Sequence, residues 1–266
     1  MTSLNEESEH STGPAQSSSS LERMISVLDV IEESPTGLTF DQIKDTLQLT
    51  RATLYRYVKI LSEAGLITSL PDLGYTLGPR VAELDYKMRQ QDPLITTARP
   101  VMMELAKTEH GVVLLCRRYR DKVLCVHQEG SSDSFTSAYE RGRDWPLLRG
   151  ATSRIIMAHL PGRILARLYE QRPQEFKQSG LGSTLDEVKA ALAKARNRGW
   201  SSSTSEVTKG VTGIAAAILD NQNAVVGSLS VSMASTAISE DEILRIAERV
   251  KFCARIVSNG ISRIRK

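Results

Sequence analysis

The stretch LQLTRATLYRYVKILSEAGLI, residues 47–67, contains the pattern that decides the fold of the N-terminal region. Thr50 is a residue type preferred at helix N-caps, and Gly65 is the type that most often ends helices. Between them, three apolar residues recur at helical spacing and predict one buried face: Leu54, Val58 and Leu61. The stretch therefore predicts an amphipathic helix that begins after Thr50 and ends before Gly65.

The opposite face of this predicted helix is basic. Arg51, Arg56 and Lys59 give it a local formal charge of +3, and no acidic residue lies between Arg51 and Lys59. The free N–H groups at the helix start suit a phosphate, and Arg51 or Arg56 is suited to guanine in a DNA major groove. The predicted DNA-contacting residues are Thr50, Arg51, Ala52, Thr53, Tyr55, Arg56 and Lys59. The alternative is a solvated helix face in a protein-interaction domain.

Two further helices and a hairpin are predicted around this segment. Residues 21–31 have the i, i+3, i+4 apolar spacing of an amphipathic helix, and Thr39 is placed to cap a short second helix. Residues 67–70 and 75–77 are strand-like and flank a turn. Three helices followed by a small hairpin predict a winged helix-turn-helix.

The rest of the chain mixes strands and helices without strict alternation. Strand-like runs form two hairpin patterns, at residues 112–116 with 123–126 and at 214–219 with 225–233. Helical spacing is found at residues 95–108, 151–160, 165–171, 184–198 and 240–263, whereas residues 129–144 are polar and irregular. The pattern favours an α+β fold with an antiparallel sheet.

The predicted organisation has four segments. They are a disordered, Ser-rich tail at residues 1–20, a DNA-binding domain at 21–78, a linker helix at 79–91 and an effector-binding and oligomerisation domain at 92–266. The tail is assigned because it contains almost no apolar residues to offset its ordering entropy.

Composition excludes several classes of protein. The 266 residues are 41% hydrophobic and 24% charged, as in a soluble globular protein, and no apolar run approaches the roughly 18 residues that span a membrane. We therefore expect a cytoplasmic protein with no membrane association. The net charge of +3 does not by itself indicate a polyanion partner.

Catalytic and metal-binding patterns are not found in the sequence. Cys116, Cys125 and Cys253 form no Cys-x-x-Cys pair, and the histidines (His10, His110, His127 and His159) have no ligand spacing. No nucleophile elbow, phosphate loop, zinc-protease or dinucleotide motif occurs. If the protein were an enzyme, the candidate general bases would be His110, His127 and His159. We expect no enzyme activity, no cofactor and no metal.

The N-terminal motifs resemble those of a known family. Residues 47–56, LQLTRATLYR, and residues 61–67, LSEAGLI, resemble the turn, the recognition helix and the wing entry of the IclR-type transcription regulators. The chain departs from that family at Gln48, where the family has a turn glycine, and at Lys44, where it has a small alanine. The resemblance implies DNA binding through a winged helix-turn-helix.

Three ordered blocks in the second half carry the same resemblance. The first is residues 146–152, PLLRGAT, and the last is residues 226–232, VGSLSVS. The central block is Arg198-Gly199-Trp200 followed by Glu206, Gly210, Val211, residues 213–216 (GIAA) and Asp220. Ser153-Arg154 replaces the family's Gly-Lys. The resemblance implies a GAF-like sensing domain with a central six-stranded antiparallel sheet. The effector-binding residues that it implies are Trp145, Ala151, Thr152, Ser203, Val211, Gly213, Ser230 and Ser232.

The residue types in this implied pocket suit a small organic acid. Ser230 and Ser232 alternate on a predicted strand, so their hydroxyls face one side and, with N–H groups at a helix start, suit a carboxylate. Gly213 allows a ligand close to the backbone. Trp145 suits a planar aromatic acid, with a carboxylate partner among Arg141, Arg143 and Arg149. The alternatives are serines that face solvent and arginines that are surface charges.

The predicted function is ligand-responsive, sequence-specific regulation of transcription from a catabolic operon, with an aromatic acid as the favoured effector. The expected partners are double-stranded DNA with a palindromic operator, the organic acid, and further copies of the chain in a homodimer or dimer of dimers. The first helix and the linker helix near Leu84 and Met88 are candidates for the dimer contact. The alternative function is metabolite sensing through a protein partner rather than DNA.

Overall fold

A computed structural model describes residues 19–109, 111–132 and 141–264. The predicted tail, residues 1–20, lies outside the described residues except for Ser19 and Ser20. These two residues already belong to the first helix and its cap, because the Ser19 side chain accepts a hydrogen bond from the N–H of Glu22. The predicted irregular segment at residues 129–144 is also described only in part.

The N-terminal unit is a three-helix bundle with a hairpin. Its elements are α1 (Ser20–Glu32), α2 (Phe40–Leu47), α3 (Arg51–Glu63), β1 (Ile67–Leu70) and β2 (Gly74–Leu77). The hydroxyls of Thr39 and Thr50 cap α2 and α3, as predicted. The buried core contains Val27, Ile31, Ile43, Leu54, Tyr57, Val58, Leu61 and Ile67. Tyr57 was not predicted to be buried, and its hydroxyl lies 2.9 Å from the hydroxyl of Ser20 on α1.

The turn between α2 and α3 requires a left-handed residue. Gln48 has φ 50° and ψ 41°, and its N–H bonds to the C=O of Asp45. Glycine adopts this left-handed backbone conformation without strain, whereas a residue with a Cβ atom is destabilised in it by about 1 kcal/mol. The position that departs from the family's glycine is therefore a strained position in this chain.

Replacing Gln48 by glycine is expected to stabilise the N-terminal unit by about 0.5–1 kcal/mol, because the strain of the left-handed conformation is relieved. The Gln48 side chain is exposed, so its loss removes no packing. Chemical denaturation followed by circular dichroism would measure the change. Gln48→Ala is the matched control, since it removes the same side chain but keeps the Cβ atom. An equal gain from both variants, or a loss from glycine, would contradict the explanation.

One helix lies between the two halves of the chain. Helix α4 spans Pro79–Gln91, and no residue of α4 is buried. The division of the chain into two compact units falls between Met88 and Arg89, within this helix. Helix α4 begins with proline, which is favourable at the first position of a helix because its missing N–H would have no partner there.

The C-terminal unit contains one six-stranded antiparallel sheet. Its strands are β3 (Val112–Tyr119), β4 (Lys122–Glu129), β5 (Asp144–Pro146), β6 (Ser201–Thr204), β7 (Val211–Leu219) and β8 (Val225–Ala234). Their order across the sheet is β5-β4-β3-β8-β7-β6. The helices are α5 (Pro93–Thr108), α6 (Gly150–Met157), α7 (Gly162–Gln171), α8 (Pro173–Gln178), α9 (Leu185–Arg198) and α10 (Glu240–Ile264), with a short 3-10 helix at Ser235–Ala237.

Both faces of this sheet are covered, and each has its own apolar core. Helices α5 and α10 pack on one face with Val113, Leu115, Ile214 and Val231 of the strands. Helices α6 to α9 pack on the other face with Val112, Leu114, Val123 and Ala215 of the strands. The serines of β8 alternate with Leu229, Val231 and Met233, so they face α6 rather than solvent.

Strands β5 and β6 and helix α8 were not predicted. Strand β6 reads Ser-Ser-Ser-Thr, which contains none of the apolar alternation that marks a strand in sequence. It forms because its backbone pairs with the edge of β7, with Ser203 opposite Gly213. Cross-strand pairing of this kind depends on a distant segment, so a local pattern does not reveal it.

No helix among the described residues is long and apolar enough to cross a membrane. The three cysteines are free thiols; Cys116 and Cys125 are buried, and Cys253 is half-buried. Cys116 and Cys125 lie opposite each other on β3 and β4. Burial raises the pKa of the Cys116 thiol well above its usual value, which keeps it protonated and unreactive.

Candidate functional site

Helix α3 presents its predicted basic face to solvent. Ala52, Tyr55, Arg56 and Lys59 are exposed, with Tyr55 at 66% exposure, whereas Leu54, Val58 and Leu61 are buried. Arg51 is exposed at the first helical position, next to the cap formed by Thr50. The structure therefore brings the seven predicted DNA-contacting residues to one end and one outer face of a single helix.

Two of the three cations on α3 lie near carboxylates. Arg51 Nη1 is 3.7 Å from Asp41 Oδ1, and Lys59 Nζ is 3.9 Å from Glu63 Oε1. These exposed pairs are weak and easily exchanged for phosphate contacts. The Arg56 guanidinium lies over the Tyr57 ring, 5.5 Å from its centroid, and within the described part of the chain no carboxylate pairs with it. Arg56 is therefore the α3 cation that is most available to a base edge.

Six of the eight predicted effector residues line one pocket. The pocket lies between α6 and strands β6, β7 and β8, and it is lined by Ala151, Thr152, Ser203, Val207, Thr208, Val211, Gly213 and Ser232. Ser203, Gly213 and Ser232 are direct cross-strand neighbours on three adjacent strands and form its floor. Helix α6 forms the opposite wall with Ala151 and Thr152.

Hydroxyl groups dominate the polar chemistry of this pocket. Ser203 Oγ accepts a hydrogen bond from the N–H of Ala151 at 2.9 Å, and the Thr152 hydroxyl donates to Ser230 Oγ at 3.3 Å. Ser230 thus lies directly behind Thr152. Ser230 is 1% exposed and Ser232 is 2% exposed. The alternative reading, in which these serines face solvent, is therefore wrong, because α6 covers this face of the sheet.

The pocket is small in this structure. Its cavity volume is about 10 Å³, which is the space of roughly one water molecule. A Cβ atom added at Gly213 would lie 3.8 Å from Ser203 Oγ, 3.9 Å from Ala151 Cβ and 4.0 Å from Ser232 Oγ. The missing side chain of Gly213 therefore leaves open the space at the centre of the pocket.

Trp145 does not lie among the residues that line this pocket. Its ring is buried in the core beneath α6, and its Nε1–H donates to Ser153 Oγ at 3.2 Å. Arg141, Arg143 and Arg149 are exposed, and Arg149 Nη2 donates to the C=O of Glu206 at 2.6 Å. The predicted combination of a stacking ring and a guanidinium is therefore not assembled at the pocket.

Sequence reasoning did not predict the loop at residues 205–210 as part of the site. Val207 and Thr208 of this loop line the pocket. Within the described residues, the Thr208 hydroxyl oxygen is buried and has no hydrogen-bond partner. Glu206 pairs with Arg154 on α6. Glu206 and Gly210 were noted only as part of the block that resembles the family, and Val207 and Thr208 carry no apolar periodicity that would mark them as pocket residues.

The described histidines and acids form no metal-like group. No cluster of three or more His, Cys, Asp or Glu side chains occurs among the described residues. His127 Nε2 lies 2.8 Å from Glu129 Oε1, and His159 Nδ1 lies 3.0 Å from the C=O of Ile155. Burial lowers the pKa of His159. His10 and His110 lie outside the described residues.

A winged helix-turn-helix with a basic outer face, followed by a domain with a six-stranded antiparallel sheet, defines a class of protein, the two-domain transcription regulators. The sequence matches two family profiles: "IclR helix-turn-helix domain" over residues 20–71 and "Bacterial transcriptional regulator IclR C-terminal" over residues 87–259. The chain belongs to the IclR family of bacterial transcription regulators.

Similar proteins agree with this assignment. The HTH-type transcriptional regulator XynR of Escherichia coli K12 is 26% identical over 251 residues, which is 91% of this chain and 96% of XynR. The structure of an IclR regulator from Alicyclobacillus acidocaldarius has a TM-score of 0.75 and 20% identity, and covers 91% of this chain and 98% of its own. An IclR homologue of Microbacterium hydrocarbonoxydans complexed with 4-hydroxybenzoate has a TM-score of 0.74 and 19% identity, with 92% and 100% coverage. These structures share the fold.

Proposed function

We propose that this regulator binds a palindromic operator through α3 and controls a catabolic operon in response to a small organic acid in the C-terminal pocket. The DNA-binding domain in this proposal is residues 21–78, α4 is the linker, and residues 92–266 bind the effector and mediate oligomerisation. The observation that carries the effector half is that six residues implied by the family resemblance, from distant parts of the sequence, line one pocket. The exposed basic face of α3 carries the DNA half.

In the proposed DNA complex, each part of α3 has a distinct role. Thr50, Arg51 and Thr53 lie at the helix start, where hydroxyls and free N–H groups bind phosphate. Arg56 reads a base edge, as Arg does with guanine O6 and N7. Ala52 and Tyr55 contact base edges or sugar, and Lys59 contacts the backbone further along the groove.

In the proposed effector complex, the hydroxyls of the pocket bind a carboxylate. Ser203 and Ser232 supply hydroxyl donors, and the hydrogen bond from the Thr152 hydroxyl to Ser230 Oγ fixes the position of Thr152 in the α6 wall. Gly213 and Val211 provide the surface for the carbon skeleton. An aromatic acid is the first class to test, because the similar Microbacterium protein was crystallised with 4-hydroxybenzoate.

We propose that the working form is a homodimer or a dimer of dimers, since one winged domain buries little DNA surface and a palindrome has two half-sites. Exposed apolar side chains on α1 and α4 support a contact there. They are Leu21, Ile25, Val81, Leu84, Tyr86 and Met88.

A fluorescence anisotropy titration tests the proposal. The full chain is added to a labelled duplex from the promoter region next to its own gene, at two salt concentrations, with and without 4-hydroxybenzoate, benzoate or pyruvate. We expect salt-sensitive specific binding, and a change of about tenfold or more in apparent Kd with one of the acids. A folded protein that binds an acid but no specific duplex would favour action through a protein partner.

A further inference from the structure

We propose that residues 205–210 form a lid over the effector pocket, and that Glu206 holds this lid closed until an organic acid binds. The inference rests on the proposed function of the pocket and adds the event that controls entry to it. The lid connects β6 to β7 and contributes Val207 and Thr208 to the pocket wall.

The small volume of the pocket means that one of its walls must move before an organic acid can enter. A cavity of about 10 Å³ accommodates no molecule larger than water, whereas even a three-carbon acid needs several times that space. The lining residues of α6 and of strands β6, β7 and β8 are held by helix and sheet hydrogen bonds, and Ala151 and Thr152 are buried. Of the described lining residues, only Val207 and Thr208 lie outside a helix or strand. The lid is therefore the wall that opens at the lowest cost.

Glu206 supplies a defined latch between the lid and α6. Arg154 Nη2 donates to both carboxylate oxygens of Glu206, at 3.0 and 3.1 Å. The N–H of Gly150 donates to Glu206 Oε2 at 3.1 Å, and Arg149 Nη2 donates to the backbone C=O of Glu206. Hydrogen bonds with a charged partner are stronger than neutral ones, and the Arg154 and Glu206 side chains are both partly buried. Together these contacts fasten the first half of the loop to α6 and the residue before it.

The two ends of the lid are turns, and the C=O of Gly210 is held by the N–H of Ser235 at 2.8 Å. Ser205 has φ 59° and Gly210 has φ 75°, so both residues lie in the left-handed region. The N–H of Ser205 donates to the C=O of Val211, and the N–H of Gly210 donates to the hydroxyl of Ser205. These bonds close the base of the loop, so that it can move as one piece when the latch releases.

A bound organic acid compensates for the contacts that are lost when the lid opens. Release of Glu206 removes a negative charge from Arg154, whose Nη1 donates to the C=O of Ser202, and the positive charge left on α6 then favours an anion in the neighbouring pocket. The buried Thr208 hydroxyl, which has no partner within the described residues, gains an acceptor in the same ligand. Loss of the Glu206 contact and binding of the acid are therefore coupled through the charge of Arg154.

The test uses a thiol as a reporter of opening. Ser232→Cys places a thiol on the pocket floor, and its alkylation by iodoacetamide is followed by peptide mass spectrometry in the full chain with and without Glu206→Gln. We expect Glu206→Gln to raise the alkylation rate at position 232 about tenfold, because one charge-assisted contact of the latch is lost. Glu170→Gln, which neutralises an exposed carboxylate on α7, is the matched control and leaves the rate unchanged.

The buried thiols Cys116 and Cys125 distinguish lid opening from general loosening. An unchanged rate at position 232 overturns the lid, as does a parallel rise at Cys116 and Cys125. Hydrogen exchange of the amides of residues 205–211 in Glu206→Gln, without the reporter thiol, is the second measurement; faster exchange confined to this segment supports the lid, and unchanged exchange overturns it.

Measurements with added acid test the lid separately from the proposed effector site. We add 4-hydroxybenzoate, benzoate or pyruvate to proteins that keep Ser232 and measure the heat of binding, and we take the S232C alkylation rate from the measurements without acid. Binding that is equal in the wild type and Glu206→Gln, with no change in alkylation, overturns the lid and leaves the effector site standing. A lid that opens in Glu206→Gln while none of these acids binds either form supports the lid and counts against acid sensing.

Discussion

Arg56→Ala is expected to weaken binding to the specific operator about 10- to 100-fold and to leave binding to a scrambled duplex within a few-fold of the wild type. A guanidinium that reads a base edge contributes about 1–3 kcal/mol of discrimination, whereas a phosphate contact contributes equally to all sequences. Arg56 is exposed, lies over the Tyr57 ring and has no carboxylate partner among the described side chains. Its removal therefore leaves the domain core intact.

Anisotropy titrations at two salt concentrations would measure this effect on both duplexes. Arg163→Ala is the matched control, because it removes the same charge from an exposed position on α7 in the other unit. Lys59→Ala provides a second comparison: we expect it to weaken both duplexes similarly and to reduce the salt slope by about one. Equal losses on both duplexes from Arg56→Ala would assign Arg56 to phosphate, and no loss would contradict its placement in the groove.

Gly213→Ala is expected to lower the affinity for the acid effector about 10- to 100-fold without lowering stability. The new methyl group would occupy the centre of the pocket at ordinary contact distances of 3.8–4.0 Å from Ser203, Ala151 and Ser232. Filling a site that a ligand must enter costs about 1–3 kcal/mol of overpacking in the complex. The stability of the ligand-free protein is expected to rise slightly, because alanine loses less backbone entropy than glycine when it is ordered in a strand.

Calorimetry with the acid that binds the wild type, together with a thermal melt, would measure both parts of this prediction. Gly162→Ala is the matched control, since a Cβ atom there meets nothing within 4 Å. Gly227→Ala on the neighbouring strand has the opposite expectation: its Cβ atom would lie 2.7 Å from the C=O oxygen of Cys116, so the fold itself is destabilised. Wild-type affinity in Gly213→Ala would place the acid outside this pocket.

Together these variants separate the two halves of the proposed function. Arg56→Ala acts on DNA recognition and leaves the acid affinity of the C-terminal unit unchanged. Gly213→Ala acts on the acid and leaves operator binding without acid unchanged. A variant that altered both would indicate a damaged fold rather than a damaged site, and the thermal melts would show it.

The sequence by itself determined the DNA-binding unit and its exposed face. Helix caps and apolar periodicity are properties of short segments, so Thr39, Thr50 and the buried face of α3 were predicted correctly before any packing was known. The basic face follows from the same periodicity. The left-handed turn at Gln48 was marked only by the departure from the family's glycine.

Most of the pocket residues were named from ordered blocks that resemble a family, not from local physics. Their proximity depends on strand order: β6, β7 and β8 are adjacent, so Ser203, Gly213 and Ser232 form one row. A serine-rich strand has no apolar period, so β6 itself was missed.

Only the tertiary structure decided which polar groups are buried and which meet across the chain. Ser230 and Ser232 are buried because helices cover both faces of the sheet, a consequence of packing that alternation cannot predict. Trp145 lies in the core rather than at the pocket. Glu206 meets Arg154 across 52 residues of sequence, and the contact exists because the loop after β6 folds back over α6. Long-range contacts of this kind arise from chain topology, whereas caps and amphipathic faces are local.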